Sequence, residues 1–169
     1  MNKIFLALCI LMLIGTGCTS KRKEPCMKVQ INITGKLNPN EFKGHGGVFY
    51  SICLDLINNT DSVTSFWVMS CSWQDNWIFN TDTVRFYSQG CDKNYPIVEK
   101  IEPGQKLTYD GVLHCLDTLN SINQTTIKIG FVLIKEKEFL ETSDFRNVLT
   151  GKILERKDII WSESIQIDR

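Results

Sequence analysis

The feature that most constrains the fold of this chain is a strict alternation of apolar and polar residues. The clearest example is Val48–Ile57, where every second residue from Val48 to Leu56 is apolar. Met27–Gly35 alternates in the same way. An apolar residue at every second position turns one face of an extended strand toward a core, so both segments are predicted strands.

Further short segments of β-branched and aromatic residues predict additional strands. These are Val63–Trp73, Trp77–Phe79, Thr83–Tyr87, Ile97–Ile101, Lys106–Leu113, Thr126–Ile134 and Asp158–Ile167. The turn-forming sequences Asn58–Asp61 and Glu102–Gln105 interrupt the series. A set of about seven to nine strands with little helix predicts an all-β protein, an antiparallel β-sandwich.

One segment, Glu136–Thr150, lacks the alternation of a strand. Within it, Ser143 and Asp144 have side chains suited to capping a helix, and apolar residues follow them. The sequence therefore predicts one short helix near residues 143–150.

The extreme N-terminus has the parts of an export signal in their usual order. Lys3 precedes an unbroken apolar run from Ile4 to Ile14, which is shorter than the ~20 residues that cross a bilayer. Small residues at positions 15–17 then precede Cys18. This arrangement resembles a bacterial lipoprotein signal, and the resemblance implies cleavage after residue 17 and a lipid on the sulfur of Cys18.

The lipoprotein resemblance implies a membrane-bound protein of the bacterial cell envelope. It divides the chain into a signal peptide over 1–17, a lipidated tether over 18–26 and a single domain over 27–169. Acyl chains such as palmitate on Cys18 hold a protein on a membrane. Thr19 replaces the aspartate that would resemble an inner-membrane retention signal, which favours the outer membrane, facing the periplasm or the surface. Ordinary secretion with cleavage near Gly17 and an uncleaved membrane helix are the alternatives.

Charge and spacing exclude two kinds of partner. The chain has 19 basic and 19 acidic residues, and Lys21–Lys23 lie in the predicted tether. The domain that follows is net acidic and has no basic stripe, which excludes nucleic acid as a partner. No Cys-x-x-Cys or His-x-x-x-His spacing occurs, so neither a metal nor another cofactor is predicted.

The chain has seven cysteines, and an exported protein meets an oxidising compartment. Cleavage removes Cys9 and lipidation occupies Cys18, which leaves five, an odd number, so at least one does not pair within the chain. Cys71 and Cys91 form the best candidate disulfide because both flank one predicted hairpin region. Cys53 lies in mid-strand and is predicted to be a small buried apolar residue. The pairing of Cys26 and Cys115 stays open.

The sequence offers no convincing catalytic set. His114 and Cys115 are neighbours on a predicted strand, so their side chains point to opposite faces and cannot form a nucleophile–base pair. The protein is therefore predicted not to be an enzyme. A periplasmic thiol-dependent or hydrolytic enzyme remains an alternative, because one cysteine must lie outside the disulfides.

The aromatic residues supply the candidate binding feature. In the segment from Trp73 to Trp77, two indoles enclose a polar loop that contains Asp75 and Asn76. Exposed aromatic rings beside carboxylates and amides are typical of carbohydrate and protein contacts. The alternative is that both rings pack into the edge of the sandwich against the Cys71–Cys91 disulfide.

Two turns carry a family resemblance. Leu54–Val63, with its Asn-Asn-Thr turn, is similar to a strand–turn–strand unit of immunoglobulin-like sandwiches, and Glu102–Gln105 resembles a later turn of the same domains. The chain thus resembles small immunoglobulin-like lipoproteins of Bacteroidetes-type bacteria and, distantly, the intracellular proteinase-inhibitor family. The resemblance implies an immunoglobulin-like sandwich, and an envelope-stage protease inhibitor is one functional alternative. The leading prediction is a membrane-anchored, non-enzymatic lipoprotein that binds a protein or a glycan-like envelope polymer.

Overall fold

The computed structural model describes residues 26–88, 90–116 and 124–168. The predicted signal peptide, Cys18 and nearly all of the predicted tether lie outside these residues. Within them the chain forms eleven strands and two α-helices. The strands are β1 (Met27–Lys36), β2 (Val48–Asn58), β3 (Thr64–Met69), β4 (Trp77–Phe79), β5 (Val84–Phe86), β6 (Pro96–Ile101), β7 (Lys106–Cys115), β8 (Gln124–Ile127), β9 (Ile129–Val132), β10 (Ile159–Trp161) and β11 (Ile165–Asp168). The helices are α1 (Glu136–Thr142) and α2 (Phe145–Glu155).

The first layer is a four-stranded antiparallel sheet with the strand order β1-β2-β7-β5. Its central strand β2 has the predicted alternation: Ile52, Leu54 and Leu56 are fully buried on one face. These side chains form the main core together with residues of the second layer. The prediction of an all-β antiparallel sandwich is therefore confirmed.

The second layer consists of three shorter antiparallel pieces, β10-β9-β4, β11-β8 and β3-β6. A bridge between Phe66 and Lys135 and the hydrogen bond from Trp67 N to Ile134 O (2.9 Å) join β3 to the chain that leaves β9. A hydrogen bond from Ser162 N to Ile129 O (2.8 Å) joins the β10–β11 connection to β9. The layer is thus continuous across its pieces.

The strand count exceeds the predicted range because two predicted strands are each interrupted. The segment 126–134 breaks at Lys128, whose main-chain N–H donates to Asn80 Oδ1 (2.7 Å) instead of to a neighbouring strand. The segment 158–167 breaks at Ser162, whose hydroxyl accepts from Ile129 N (3.1 Å) and donates to Glu163 O (2.7 Å). Side chains that bond to main-chain groups replace the regular ladder at both places.

The strand arrangement is that of an immunoglobulin-like sandwich with one departure. The order β1-β2-β7-β5 matches the four-stranded layer of such domains, and β3/β4, β8/β9 and β10/β11 occupy the places of the opposite layer. The departure lies between β4 and β7. There the chain crosses between the layers three times, through β5 in the first layer and β6 in the second.

The predicted helix near 143–150 is present and extends further, as α2. Asp144 caps it, accepting a hydrogen bond from Asn147 N (3.1 Å). A separate helix, α1, precedes it and ends at Ser143, which adopts a left-handed conformation (φ 53°). No helix in the described part of the chain is long and apolar enough to cross a membrane.

Both helices pack on the outer face of the second layer. Strand β9 is buried on both faces, because Phe131 faces the main core while Val132 faces the helices. Trp67 of β3 packs on Phe139 of α1 (ring centroids 4.3 Å apart) and donates from Nε1 to Glu136 O (3.2 Å). A second apolar cluster therefore lies between the sheet and the helices.

The two turns that carry the family resemblance meet at one buried amide, Asn58. Its Nδ2 donates to Ser62 O and Ile101 O (both 2.8 Å), and its Oδ1 accepts from Thr60 N (3.0 Å) and the Thr60 hydroxyl (2.6 Å). Its main chain accepts from Gly104 N (2.8 Å), in the second turn. All hydrogen-bonding groups of this side chain are satisfied, so Asn58 links the two turns in one specific arrangement.

A cluster of charged groups fastens the helices to β10. The buried ammonium of Lys152 lies 2.9 Å from Glu138 and 2.5 Å from Asp158. Burial alone would raise the pKa of Glu138, but the hydrogen bonds from Lys152 and from Lys135 N outweigh it and lower that pKa. The hydrogen bond from Lys152 also lowers the pKa of Asp158.

We expect Asn58→Asp to destabilise the domain by about 2–3 kcal/mol, because a carboxylate oxygen would face the carbonyls of Ser62 and Ile101 without a proton to share. Urea unfolding of the two proteins measures the difference. The matched control is Asn59→Asp at the exposed neighbouring position, which should stay within about 0.5 kcal/mol of the wild type. Equal losses in both variants would contradict the role assigned to Asn58.

The charged cluster predicts a pH dependence of stability. Because the pKa values of Glu138 and Asp158 are lowered by folding, their stabilisation is complete above the ordinary carboxylate range of about 4 and is lost as pH falls through the lowered values. Lys152→Met removes the cation, so its unfolding free energy should fall less steeply, or even rise, between about pH 5 and pH 2. Lys137→Met, at an exposed position of α1, should keep the wild-type slope. Parallel slopes for the wild type and Lys152→Met would contradict the assignment.

Candidate binding surfaces

The predicted binding segment is an excursion from a single interrupted strand. β3 and β4 run in the same direction and pair with one continuous segment, β9 and the residues after it. Trp67 N bonds to Ile134 O, and Trp77 is paired with Phe131. Residues 70–76 leave the sheet between them. In β3 the even-numbered residue Phe66 faces the main core, whereas in β4 the odd-numbered Trp77 does. The excursion therefore reverses which residues face inward.

This reversal places Trp77 inside the sandwich. Its side chain is 4% exposed and its ring lies 4.9 Å from Phe131 and 5.7 Å from Tyr109, centroid to centroid. Asn76 is fully buried as well, and its Nδ2 donates to Trp67 O and Val132 O (both 3.1 Å). The expectation that these two residues belong to an exposed loop is wrong. Asn76 instead closes the gap that the excursion leaves between β3, β4 and β9.

Trp73 is half-buried and also packs on the sandwich. Its ring stacks on Tyr109 (4.9 Å) and lies edge-on to Phe86 (5.6 Å). It covers Gly111 closely: a β-carbon there would lie 3.1 Å from the indole. Both indoles therefore pack on the sandwich, as the alternative interpretation held, but their partners are Tyr109, Phe86 and Phe131. A binding role for the part of Trp73 that stays accessible remains a prediction.

The predicted disulfide between Cys71 and Cys91 is present, with the α-carbons 6.3 Å apart. Asn94 reinforces it, since its Oδ1 accepts from Cys71 N and Ser72 N (both 3.2 Å) and its Nδ2 donates to Ser72 Oγ (2.6 Å). Ser72 Oγ donates in turn to Asp75 (2.6 Å). Nothing in the sequence pairs Asn94 with position 72, because the two are joined only by the fold.

Asp75 lines a cleft between the excursion and the start of α2. The cleft has a volume of about 270 Å³ and is mainly polar. It is lined by Met69, Asp75, Asn94, Ser143, Asp144, Phe145 and Arg146. Of the four predicted binding residues, only Asp75 faces this cleft.

A larger groove lies at the other end of α2, on the outer face of the second layer. Its volume is about 390 Å³, and it is lined by Ile78, Phe79, Asn80, Ile153, Arg156, Ile159 and Trp161. Trp161 is 41% exposed, so its indole is accessible where that of Trp77 is not. The sequence signal for this exposure is the alternation of β10. Ile160 faces the core, so its neighbour Trp161 faces outward.

The histidine and cysteine on β7 face opposite ways, as the strand geometry predicts. His114 is buried on the outer side of the first layer, where Nε2 lies 2.6 Å from Gly46 O and Nδ1 accepts from Arg85 Nε (3.4 Å). Its ring stacks on Phe49 (4.3 Å). Cys115 belongs to the main core on the other side. The two side chains cannot act together.

The other thiols outside the disulfide are Cys53 and Cys26. Cys53 is half-buried on the outer face of β2, so the prediction of a fully buried apolar residue is wrong. Partial burial and the negative charges of Asp55 and Asp110 raise the pKa of the Cys53 thiol. A raised pKa keeps a thiol protonated and weakly nucleophilic. Nowhere in the described ranges do three or more His, Cys, Asp or Glu side chains gather as a metal site would need.

No protein-family model and no curated protein matches the chain. A solved structure, a FixG-related protein from Vibrio parahaemolyticus, is similar over 87% of this chain and 97% of its own, with 18% identity and a TM-score of 0.42.

We expect the double variant Cys71→Ser/Cys91→Ser to lose about 3 kcal/mol of stability in the chain-entropy model of a cross-linked loop. The sequence separation of 20 residues sets that value. Urea unfolding without reductant measures the loss, and reductant should lower the stability of the wild type but not of the variant. Cys26→Ser, at an exposed thiol, is the matched control and should behave as the wild type. A double variant as stable as the wild type would contradict the prediction.

Proposed function

We propose that this protein is an immunoglobulin-like lipoprotein of the bacterial cell envelope, held on the outer membrane by a lipid on Cys18, and that its domain binds a partner without catalysing a reaction. The observation that carries the proposal is the Cys71–Cys91 disulfide of the folded domain. Structural disulfides persist in exported proteins and are rare in the reducing cytosol. The disulfide therefore supports the export that the sequence up to Cys18 indicates.

The position of β1 suits a domain that stays near its membrane. β1 begins at Met27, nine positions after Cys18. An extended chain advances about 3.3–3.6 Å per residue, so this tether reaches about 30 Å at most. Lys21–Lys23 within it add cations that favour anionic headgroups.

The chemistry of the thiols favours binding over catalysis. The thiol of Cys53 has a raised pKa because of burial and neighbouring carboxylates, the opposite of what a nucleophilic cysteine needs. His114 is engaged by Gly46 and Arg85 on the face of β7 opposite to Cys115. His114 and Cys115 therefore do not form the base–nucleophile pair that the thiol-dependent alternative needs, and the protease-inhibitor alternative rests on the sequence resemblance alone.

The anchor is tested by labelling bacteria that express the full chain with an alkyne analogue of palmitate. We expect the wild type to incorporate the label and Cys18→Ser to lose it, because only Cys18 offers the thiol at the cleavage site. Cys26→Ser is the matched control and should be labelled fully. Mass spectrometry of the mature N-terminus should show a lipidated residue 18. An intact Met1, or an unmodified N-terminus at residue 18, would overturn the proposal.

A further inference from the structure

The groove at the end of α2 exists because the helices cover only part of an apolar sheet face. Phe145 and Leu149 of α2 cover Val132 and Ile134. Beyond them the helix ends at Arg156, which adopts a left-handed conformation (φ 52°). The remaining part of the sheet face is therefore accessible to a ligand.

Gly130 forms the floor of this uncovered part. Ile78 and Trp161 are its direct partners on the two neighbouring strands, so the three residues form one row across the sheet. A β-carbon at Gly130 would lie 2.7 Å from Ile159 and 3.0 Å from the indole of Trp161. The absence of a side chain at this position thus lets the indole lie over the strand with its other side exposed.

The polar groups beside the indole are donors. Arg156 supplies a guanidinium, and Asn80 supplies an amide whose Oδ1 already accepts from Lys128 N (2.7 Å). The carbonyls of Lys152 and Ile153 at the end of α2 accept from Lys157 N and Arg156 N, so they are occupied within the helix cap. Among the described residues that line the groove, none is acidic. The site therefore suits a ligand that offers an apolar ring face and an anionic acceptor.

We infer that this groove binds a sugar ring that carries a carboxylate, as in a polymer of hexuronic acids. The C–H face of the pyranose stacks on the exposed side of Trp161, and the carboxylate accepts hydrogen bonds from Arg156, whose planar guanidinium matches it. Asn80 donates to a ring hydroxyl. The inference deepens the proposed function, on which it rests, by giving the binding domain a site and a ligand class.

An acidic peptide shares the carboxylate but not the ring face. The groups most accessible in the groove are the indole, the guanidinium and the amide, while Ile78, Ile153 and Ile159 are half-buried. A protein partner would require those apolar side chains to be free for an inserted residue. The exposure pattern favours the sugar.

The test is isothermal titration calorimetry of the full chain in detergent with tetramers of galacturonic, glucuronic and mannuronic acid. We expect at least one tetramer to bind, and its methyl ester, which lacks the charge, to bind roughly tenfold more weakly. Arg156→Gln should weaken binding by a similar factor, and Trp161→Ala by roughly fivefold to tenfold. Arg146→Gln, at the opposite end of α2, is the matched control and should bind as the wild type does.

Arg156→Gln keeps the test independent of folding, because its side chain is exposed, whereas Trp161→Ala is accompanied by an unfolding curve. The inference is overturned if none of the three tetramers binds, if the methyl ester binds as well as the acid, or if Arg156→Gln binds normally. Equal binding of penta-glutamate would also overturn it and assign the groove to acidic peptides. A protein labelled at Cys18 that binds no tetramer would overturn this inference alone, whereas an unlabelled one that binds would overturn the anchor alone.

Discussion

The second layer of the sandwich is apolar on both faces, and the need to cover both is the constraint on which the rest of the structure depends. The first layer covers one face, where Phe131 and Trp77 share the main core with Leu54 of β2. The other face needs a cover that a two-layer sandwich does not provide. Helices α1 and α2 supply it, and the buried Lys152 with its two carboxylates holds them in place. Where this cover ends, beside Trp161, the apolar face becomes a groove.

Two buried asparagines hold the strands where the regular ladder stops. Asn58 joins the turn after β2 to the end of β6 and to the turn that follows. Asn76 joins three strands at the point where residues 70–76 leave the sheet. In both cases a side-chain amide replaces main-chain hydrogen bonds that the chain path makes impossible. The immunoglobulin-like framework therefore accommodates an excursion and an altered strand order.

Local patterns in the sequence carried much of the fold. The alternation in Val48–Ile57 predicted β2 and its buried face, and the Ser143-Asp144 pair predicted the start of α2, because both signals act within a few residues. The Cys71–Cys91 pair was also predictable from its place beside a hairpin region. The breaks at Lys128 and Ser162 were not predictable, because each depends on a bond to a residue far away in sequence. Lys128 N bonds to the side chain of Asn80, and the Ser162 hydroxyl accepts from Ile129 N.

Dependence on distant parts of the chain also limits what the sequence predicts about the candidate binding residues. The sequence left open whether Trp77 is exposed or packed, because the alternation of the flanking strands does not show the seven-residue excursion that turns it inward. Trp161 was overlooked for a related reason: its exposure depends on where α2 ends and on the missing side chain of Gly130 opposite it. Whether an aromatic residue is core or surface is decided by such long-range coverage rather than by its neighbours in sequence.

The crossing of the chain between the layers gives the disulfide a second consequence. The covalent loop from Cys71 to Cys91 contains β4, which belongs to the second layer, and β5, which belongs to the first. One strand of each sheet therefore forms part of the same covalently closed ring. The ring limits how far β4 and β5 can separate, so it holds the two sheets together at this edge, on the side opposite to β1 and β10.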